Sequence, residues 1–182
     1  MLSRNFIIPC SVVLVIVACA NPLNQATSDR YAATCSAAEQ QRQLAVAEEA
    51  CYRALVNVEM GNLGPELKSQ RLYNLARIKR AVGKFSEAEP LLKQSLSLEE
   101  SLTGHASLQV GRRLVELSVN LAAQDKWLEG APYLARATPL VGLFSPAERA
   151  FTKSALETYA PKLQTLGRKD EANAFAAAAA KL

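Results

Sequence analysis

The side chains suited to chemistry are few in this chain, so their spacing has to be judged first. Cys35 and Cys51 bound the stretch CSAAEQQRQLAVAEEAC, sixteen residues apart. On one continuous helix they would stand about 24 Å apart and could neither bridge nor share an ion. If the stretch folds back on itself, they can form a disulfide, ligate a metal or do redox chemistry. A metal site needs three or four converging ligands. The only histidine, His105, falls in the loop-like TGHAS with nothing to converge on. The acid pairs Glu48-Glu49 and Glu99-Glu100 sit on polar helix faces and read as solvated carboxylates. GNLG at 61–64 follows no strand, so it is a turn rather than a phosphate cradle. These residues predict no enzyme, no metal and no cofactor. One charged cluster stands out. Lys68, Arg71, Arg77, Lys79, Arg80 and Lys84 follow one another with no acid between 68 and 84.

The elements that must position these residues are helices. Hydrophobic residues make up 49% of the 182, enough for one domain with a real core. Aromatics are only 6% while Ala and Leu abound, a helix-leaning composition. A net charge of +4, without a Lys/Arg tract interleaved with aromatics, excludes a nucleic-acid binder.

Residues 1–18 do not belong to the folded part. Arg4 gives a positive start, and Phe6 to Ala18 an apolar run too short for a comfortable span, which needs about twenty residues. The run ends in Ile16-Val17-Ala18-Cys19, which resembles the bacterial lipobox. That resemblance implies a signal peptide over 1–18, lipid on Cys19, and, with Ala20 following, an outer-membrane anchor facing the periplasm. Stable anchoring by several acyl chains on one residue fits the physics. Without the cysteine signal, the same run is an uncleaved anchor or an ordinary secretory signal. Residues 19–30 are polar and predict a flexible tether. The folded domain is then 31–182.

Internal repetition is the strongest signal. Laid over itself at an offset of 42 residues, the chain matches Leu72 to Leu114, Leu75 to Leu117, Lys84 to Lys126, Phe85 to Trp127, Pro90 to Pro132 and Leu92 to Leu134. At 84 residues Leu72 falls on Leu156, Gly83 on Gly167 and Glu87-Ala88 on Glu171-Ala172. Each copy divides into two amphipathic helices. Ser86 with Glu89, and Ser145 with Glu148, carry the pattern of reciprocal capping pairs. The last copy departs from the others: Pro161 interrupts its first helix, and AFAAAAAKL replaces its bulky positions. The alanine run 176–180 reads as the plain end of the last helix, or less readily as a close-approach surface for a dimer mate.

In LYNLARIKRAVGKFSEAEPLLKQSL, small residues at Ala76, Ala88 and Ser95 and large ones at Leu72, Leu75, Phe85 and Leu92 resemble the tetratricopeptide repeat. The EAEPL opening is similar to the kinesin-light-chain type. The resemblance implies an all-α, right-handed α-solenoid of about four antiparallel helix pairs, eight helices in all. It also implies a concave groove lined by first helices, here Gln70, Tyr73, Asn74, Arg77, Arg80 and Arg112, with Val115 beside them. Such a basic groove would suit a protein or peptide partner, an acidic segment included. The alternative is a charged helix face kept in water. The family's carboxylate clamp is not expected, because Ala32 and Ser36 stand where it needs Lys and Asn, and Glu116 where it needs a base.

The same register puts the turn of the first pair near Arg42-Gln43, about eight residues from Cys35 and from Cys51. Opposed there in an oxidising compartment, the two form a disulfide or remain a pair of buried thiols. The function this implies is an envelope lipoprotein acting as an interaction scaffold for an outer-membrane assembly, secretion, pilus or cell-wall complex. The alternative is a periplasmic solenoid for a small molecule or peptide.

Overall fold

A computed structural model describes residues 21–182; the expected signal segment 1–18 and Cys19, expected to carry lipid, lie outside the described residues. Among the described residues there are eight α-helices and no strand. They form four antiparallel hairpins: α1 (Pro22–Gln40) with α2 (Leu44–Met60), α3 (Pro65–Ala81) with α4 (Phe85–Thr103), α5 (Leu108–Ala122) with α6 (Trp127–Ala137), and α7 (Pro146–Thr165) with α8 (Lys169–Ala179). Each hairpin packs on the next in chain order, α2 on α3 and α4 on α5. A 3₁₀ segment, Thr138–Leu143, joins α6 to α7. None of the described helices is long and apolar enough to cross a membrane.

The polar stretch expected as a tether is helical from Pro22 onward, so the folded unit begins nine residues earlier than 31. The cause lies in polar contacts rather than in an apolar stripe. Asn21 caps α1 by accepting the Leu23 amide at 3.0 Å, and Pro22 takes the first helical position, where its missing N–H costs nothing. Ser28, fully buried, donates to Ala54 O at 2.9 Å. Gly61 lets α1 cross close, since a Cβ there would lie 2.6 Å from that of Asn24.

One turn geometry recurs in all four hairpins. Arg42, Gly83, Asp125 and Gly167 each hold a positive φ, at 58, 82, 57 and 79°. The following amide reaches back over the helix end: Gln43 to Ala38 O, Lys84 to Lys79 O, Lys126 to Leu121 O and Arg168 to Leu163 O, at 2.8 to 3.0 Å. These are Schellman closures, in which a left-handed residue lets the chain satisfy the helix's last carbonyls.

Of the two expected capping pairs, one forms and the other does not. Ser145 and Glu148 do form the reciprocal cap. Ser86 and Glu89 do not: α4 already begins at Phe85 after Lys84, and Glu89 turns instead to Lys93 and Lys126. Pro161 does not break α7, which runs on to Thr165.

The core forms two clusters. Cys35, Ala47, Ala50, Cys51, Leu55, Leu72, Leu75 and Ile78 fill the N-terminal part, and the rest runs from Ala76 to Ala179. Leu91 packs against both. Val115, expected in the groove, is 2% exposed and belongs to the second cluster.

Candidate interaction groove

The six expected groove residues do come together. They line two clefts that meet at Tyr73, Asn74 and Arg112. The first, about 340 Å³, lies between the start of α3, the end of α4 and the start of α5, and includes Gln70, Glu66, Glu99 and Gln109. The second, about 530 Å³, lies across α3, α5 and α7, with Arg77, Arg80, Glu116, Glu148 and Phe151. Helical spacing along α3 carries Gln70, Tyr73, Asn74, Arg77 and Arg80 on one face, while Leu72, Leu75 and Ile78 are buried behind it.

The groove is not basic. Between them the two clefts carry four arginines (77, 80, 112, 113) and four glutamates (66, 99, 116, 148). Most of these charges are already paired, and the pairs link successive first helices. Arg77 reaches Glu39 of α1 at 2.6 Å, Arg80 reaches Glu116 of α5 at 2.8 Å, and Arg112 pairs with Glu148 of α7. The remaining cations of the 68–84 cluster are also neutralised. Lys68 meets Glu59, Arg71 meets Asp29, and Lys79 and Lys84 share Glu48. A run free of acids in sequence is therefore a ladder of ion pairs in space, because the partners come from neighbouring helices.

What sequence reasoning missed is that Glu116 and Glu148 pair with Arg80 and Arg112 in the groove. A signal was present: both Arg80–Glu116 and Arg112–Glu148 are separated by 36 residues. The acid pairs were misjudged for the same reason. Glu99 is buried, and Glu48 is held below its ordinary pKa, first by a hydrogen bond from Lys84 and then by Lys79 against the opposing effect of burial. His105 is an exposed loop residue beside Glu100. No cluster of three or more metal-ligating side chains occurs among the described residues.

Beneath the groove lies a repeated polar device. Arg71 and Arg113, 42 residues apart, each reach back into the preceding hairpin. Arg71 donates to the Ser28 hydroxyl at 3.2 Å and to Asp29 at 2.6 Å. Arg113 donates to Ser95 Oγ at 2.7 Å, to Ser69 Oγ at 3.0 Å, to Gln109 O at 2.9 Å, and pairs with Glu99 Oε2 at 3.0 Å. Burial pulls both guanidinium groups below their ordinary pKa, with Asp29 and Glu99 opposing. Leaving either buried charge without its carboxylate would be strongly destabilising.

Tyr73 stacks between Arg77 and Arg113, 5.8 and 5.0 Å from its ring centre. Burial, with Glu116 adding to it, pushes its hydroxyl up to about 12, so it stays a neutral donor and acceptor. Glu148 is pushed upward by burial, but Arg112 and the Ser145 cap outweigh that and hold it at about 2.

Cys35 and Cys51 are joined in a disulfide across the first hairpin, with Cα atoms 5.2 Å apart. The fold-back reading of that stretch is the one the structure takes: the turn lies at residues 41–43, between α1 and α2.

No protein-family model matches the chain, and no curated protein matches it. Solved structures do. BtubC (BKLC) from P. vanneervenii superposes with a TM-score of 0.72 at 18% identity, over 85% of this chain and 62% of that one. A protein described as a kinesin light chain with nearly identical TPR-like repeats, from Podosopora anserina, gives 0.65 at 17% identity, over 85% of this chain and 74% of that one. A variant of it gives 0.66 at 17% identity, over 85% and 73%. The fold is tetratricopeptide-like. The chain spans only 62% of BtubC's length, so the likeness is to part of that molecule. Within the tetratricopeptide-like frame, the six expected groove residues occupy the first helices of the second and third hairpins, with α7 of the fourth and the end of α4 completing the clefts.

Proposed function

We propose that this chain is a non-catalytic interaction scaffold of the bacterial envelope, docking a segment of a protein partner along α3, α5 and α7. One observation carries the docking part. The groove crosses three helices and keeps polar groups unspent: among the described residues, the Asn74 amide, the Gln109 amide and the Tyr73 hydroxyl make no hydrogen bond. Side chains of this kind can bond a partner's backbone without first breaking a contact of their own. The neutral balance of the groove favours a mixed polar segment over a purely acidic one.

The envelope part rests on two supports. IVAC before residue 20 resembles the bacterial lipobox, and a disulfide between Cys35 and Cys51 suits an oxidising compartment. Such a scaffold would serve an outer-membrane assembly, secretion, pilus or cell-wall complex, tethered to the outer membrane and facing the periplasm.

A photo-crosslinking amino acid placed at Gln70 or Asn74 in intact cells is expected to give a discrete adduct. The same group at Gln94, exposed on α4 away from the groove, should give none. Equal adducts from all three positions, or none, would remove the docking reading. Cys19→Ala should abolish incorporation of labelled palmitate; retained label would remove the lipoprotein reading.

A further inference from the structure

We propose that the first cleft receives a lysine side chain of the docked segment; this rests on the groove being the docking surface. The charge count of that cleft, taken contact by contact, is not zero. Arg113 has its Nε, Nη1 and Nη2 all engaged, by Ser95, by Gln109 O, and by Ser69 with Glu99. Arg112 is neutralised by Glu148. Glu66, exposed in the first turn of α3, has no ion-pair or hydrogen-bond partner among the described residues.

A second observation points the same way. Glu99 is only 8% exposed, yet just one of its oxygens is used. Oε2 accepts from both Ser69 and Arg113, at 2.9 and 3.0 Å. Oε1 accepts nothing among the described residues and is not sealed from solvent, so it is left to the cleft that Glu99 lines. A half-used carboxylate at the floor and an unpaired one at the rim make an acceptor site for a cation.

An ammonium group suits it, being compact and carrying three donors that can be shared between Glu99 Oε1, Glu66 and the amide oxygens of Asn74 and Gln109. Its aliphatic stem would lie along Leu102. At the boundary of the two clefts, Arg112 uses only Nε on Glu148, which leaves its Nη groups to bond a backbone carbonyl of the same segment. A glutamate in this cleft would instead face both Glu66 and Glu99. The volume, about 340 Å³, holds one side chain with the backbone around it.

The test uses blocked Gly/Ser nonapeptides with Lys, Ser or Glu at the centre, and spermidine, titrated into the ¹⁵N-labelled full chain. The side-chain amide signals of Gln70, Asn74 and Gln109 are followed. The lysine peptide should saturate them at about ten-fold lower concentration than the serine peptide, and the glutamate peptide should leave them in place. Glu66→Gln, at an exposed position, should weaken the lysine peptide about three-fold. Glu99→Gln should weaken it further, and if that change loosens the fold, Glu66→Gln alone still decides. Equal response to lysine and serine, a stronger response to glutamate, or tighter binding of spermidine than of the lysine peptide overturns the proposal. If several peptides shift these amides alike, docking stands and only the lysine preference falls. If none does, and Gln70 gives no crosslink in cells, docking falls as well.

Discussion

Among the described residues the first hairpin, α1–α2, and the last, α7–α8, each pack on one neighbouring hairpin, yet their interiors have little in common. The first is filled by small residues, Ala38, Ala47, Ala50 and Ala54, and is tied by Cys35–Cys51. The last is organised around one large side chain. Tyr159 is 1% exposed, meets Trp127 and Phe175 edge-on at 5.1 and 6.1 Å, and donates to Ser118 O at 2.6 Å. Gly130 makes room for it: a Cβ there would come within 1.9 Å of the hydroxyl. An end repeat lacks half the packing of an inner one. The comparison shows two remedies, a covalent tie where side chains are too small to bury much, and an aromatic anchor where a glycine opens the neighbouring hairpin.

The largest effect should come from removing the anchor. Tyr159→Ala is expected to cost about 4 kcal/mol, with hydrogen exchange accelerating in α7 and α8 while α1 and α2 keep their protection. Uniform acceleration along the chain would break the contrast. Replacing both Cys35 and Cys51 by alanine should cost about 3 kcal/mol, by the chain-entropy estimate for a loop of this size, with exchange now accelerating in α1 and α2.

Acid sharpens the contrast further, because the last hairpin is attached through Arg112–Glu148. Glu148 titrates at about 2 when folded, against an ordinary 4.5. A depressed carboxylate contributes stability fully above pH 4.5 and loses it as pH falls toward 2. Partial exposure of both partners reduces the contribution to about 1 kcal/mol. Melting at pH 5 and pH 2.5 should therefore differ less in Glu148→Gln than in the parent, whereas the disulfide is indifferent to this range. The smallest effects concern the shared turn. Gly167→Ala places a side chain at φ 79° and should cost about 1 kcal/mol. Arg42→Gly at φ 58° should stabilise by about 0.5 kcal/mol, since the relief of strain exceeds the added freedom of the unfolded chain.

Much of this was legible in the sequence. The 42-residue offset located the hairpins from α3 to α6, because identical side chains recur wherever helices must pack in the same way. Gly83 and Gly167 marked two of the four left-handed turns. Register placed the first turn near Arg42-Gln43, but nothing in the types of Arg42 and Asp125 announced their positive φ. The six groove positions followed from the resemblance to the tetratricopeptide repeat, carried over onto this chain's register. Their electrostatics did not, because ion pairs joining residues 36 to 38 apart depend on the angle between hairpins, which periodicity does not encode. The start of α1 was unreadable for another reason. Its only buried residues are Ser28, Cys35 and Ala38, so no apolar stripe announces it.

The position of the disulfide also bears on the order of events as the chain emerges. Both sulfurs lie within the first hairpin, so the bridge needs nothing downstream to bring them together. Among the described residues no third cysteine competes for either one. If the chain is delivered N-terminus first into an oxidising compartment, as proposed, this hairpin would lock before the second had appeared. Each later hairpin would then meet a finished surface, since α3 packs on α2 and α5 on α4.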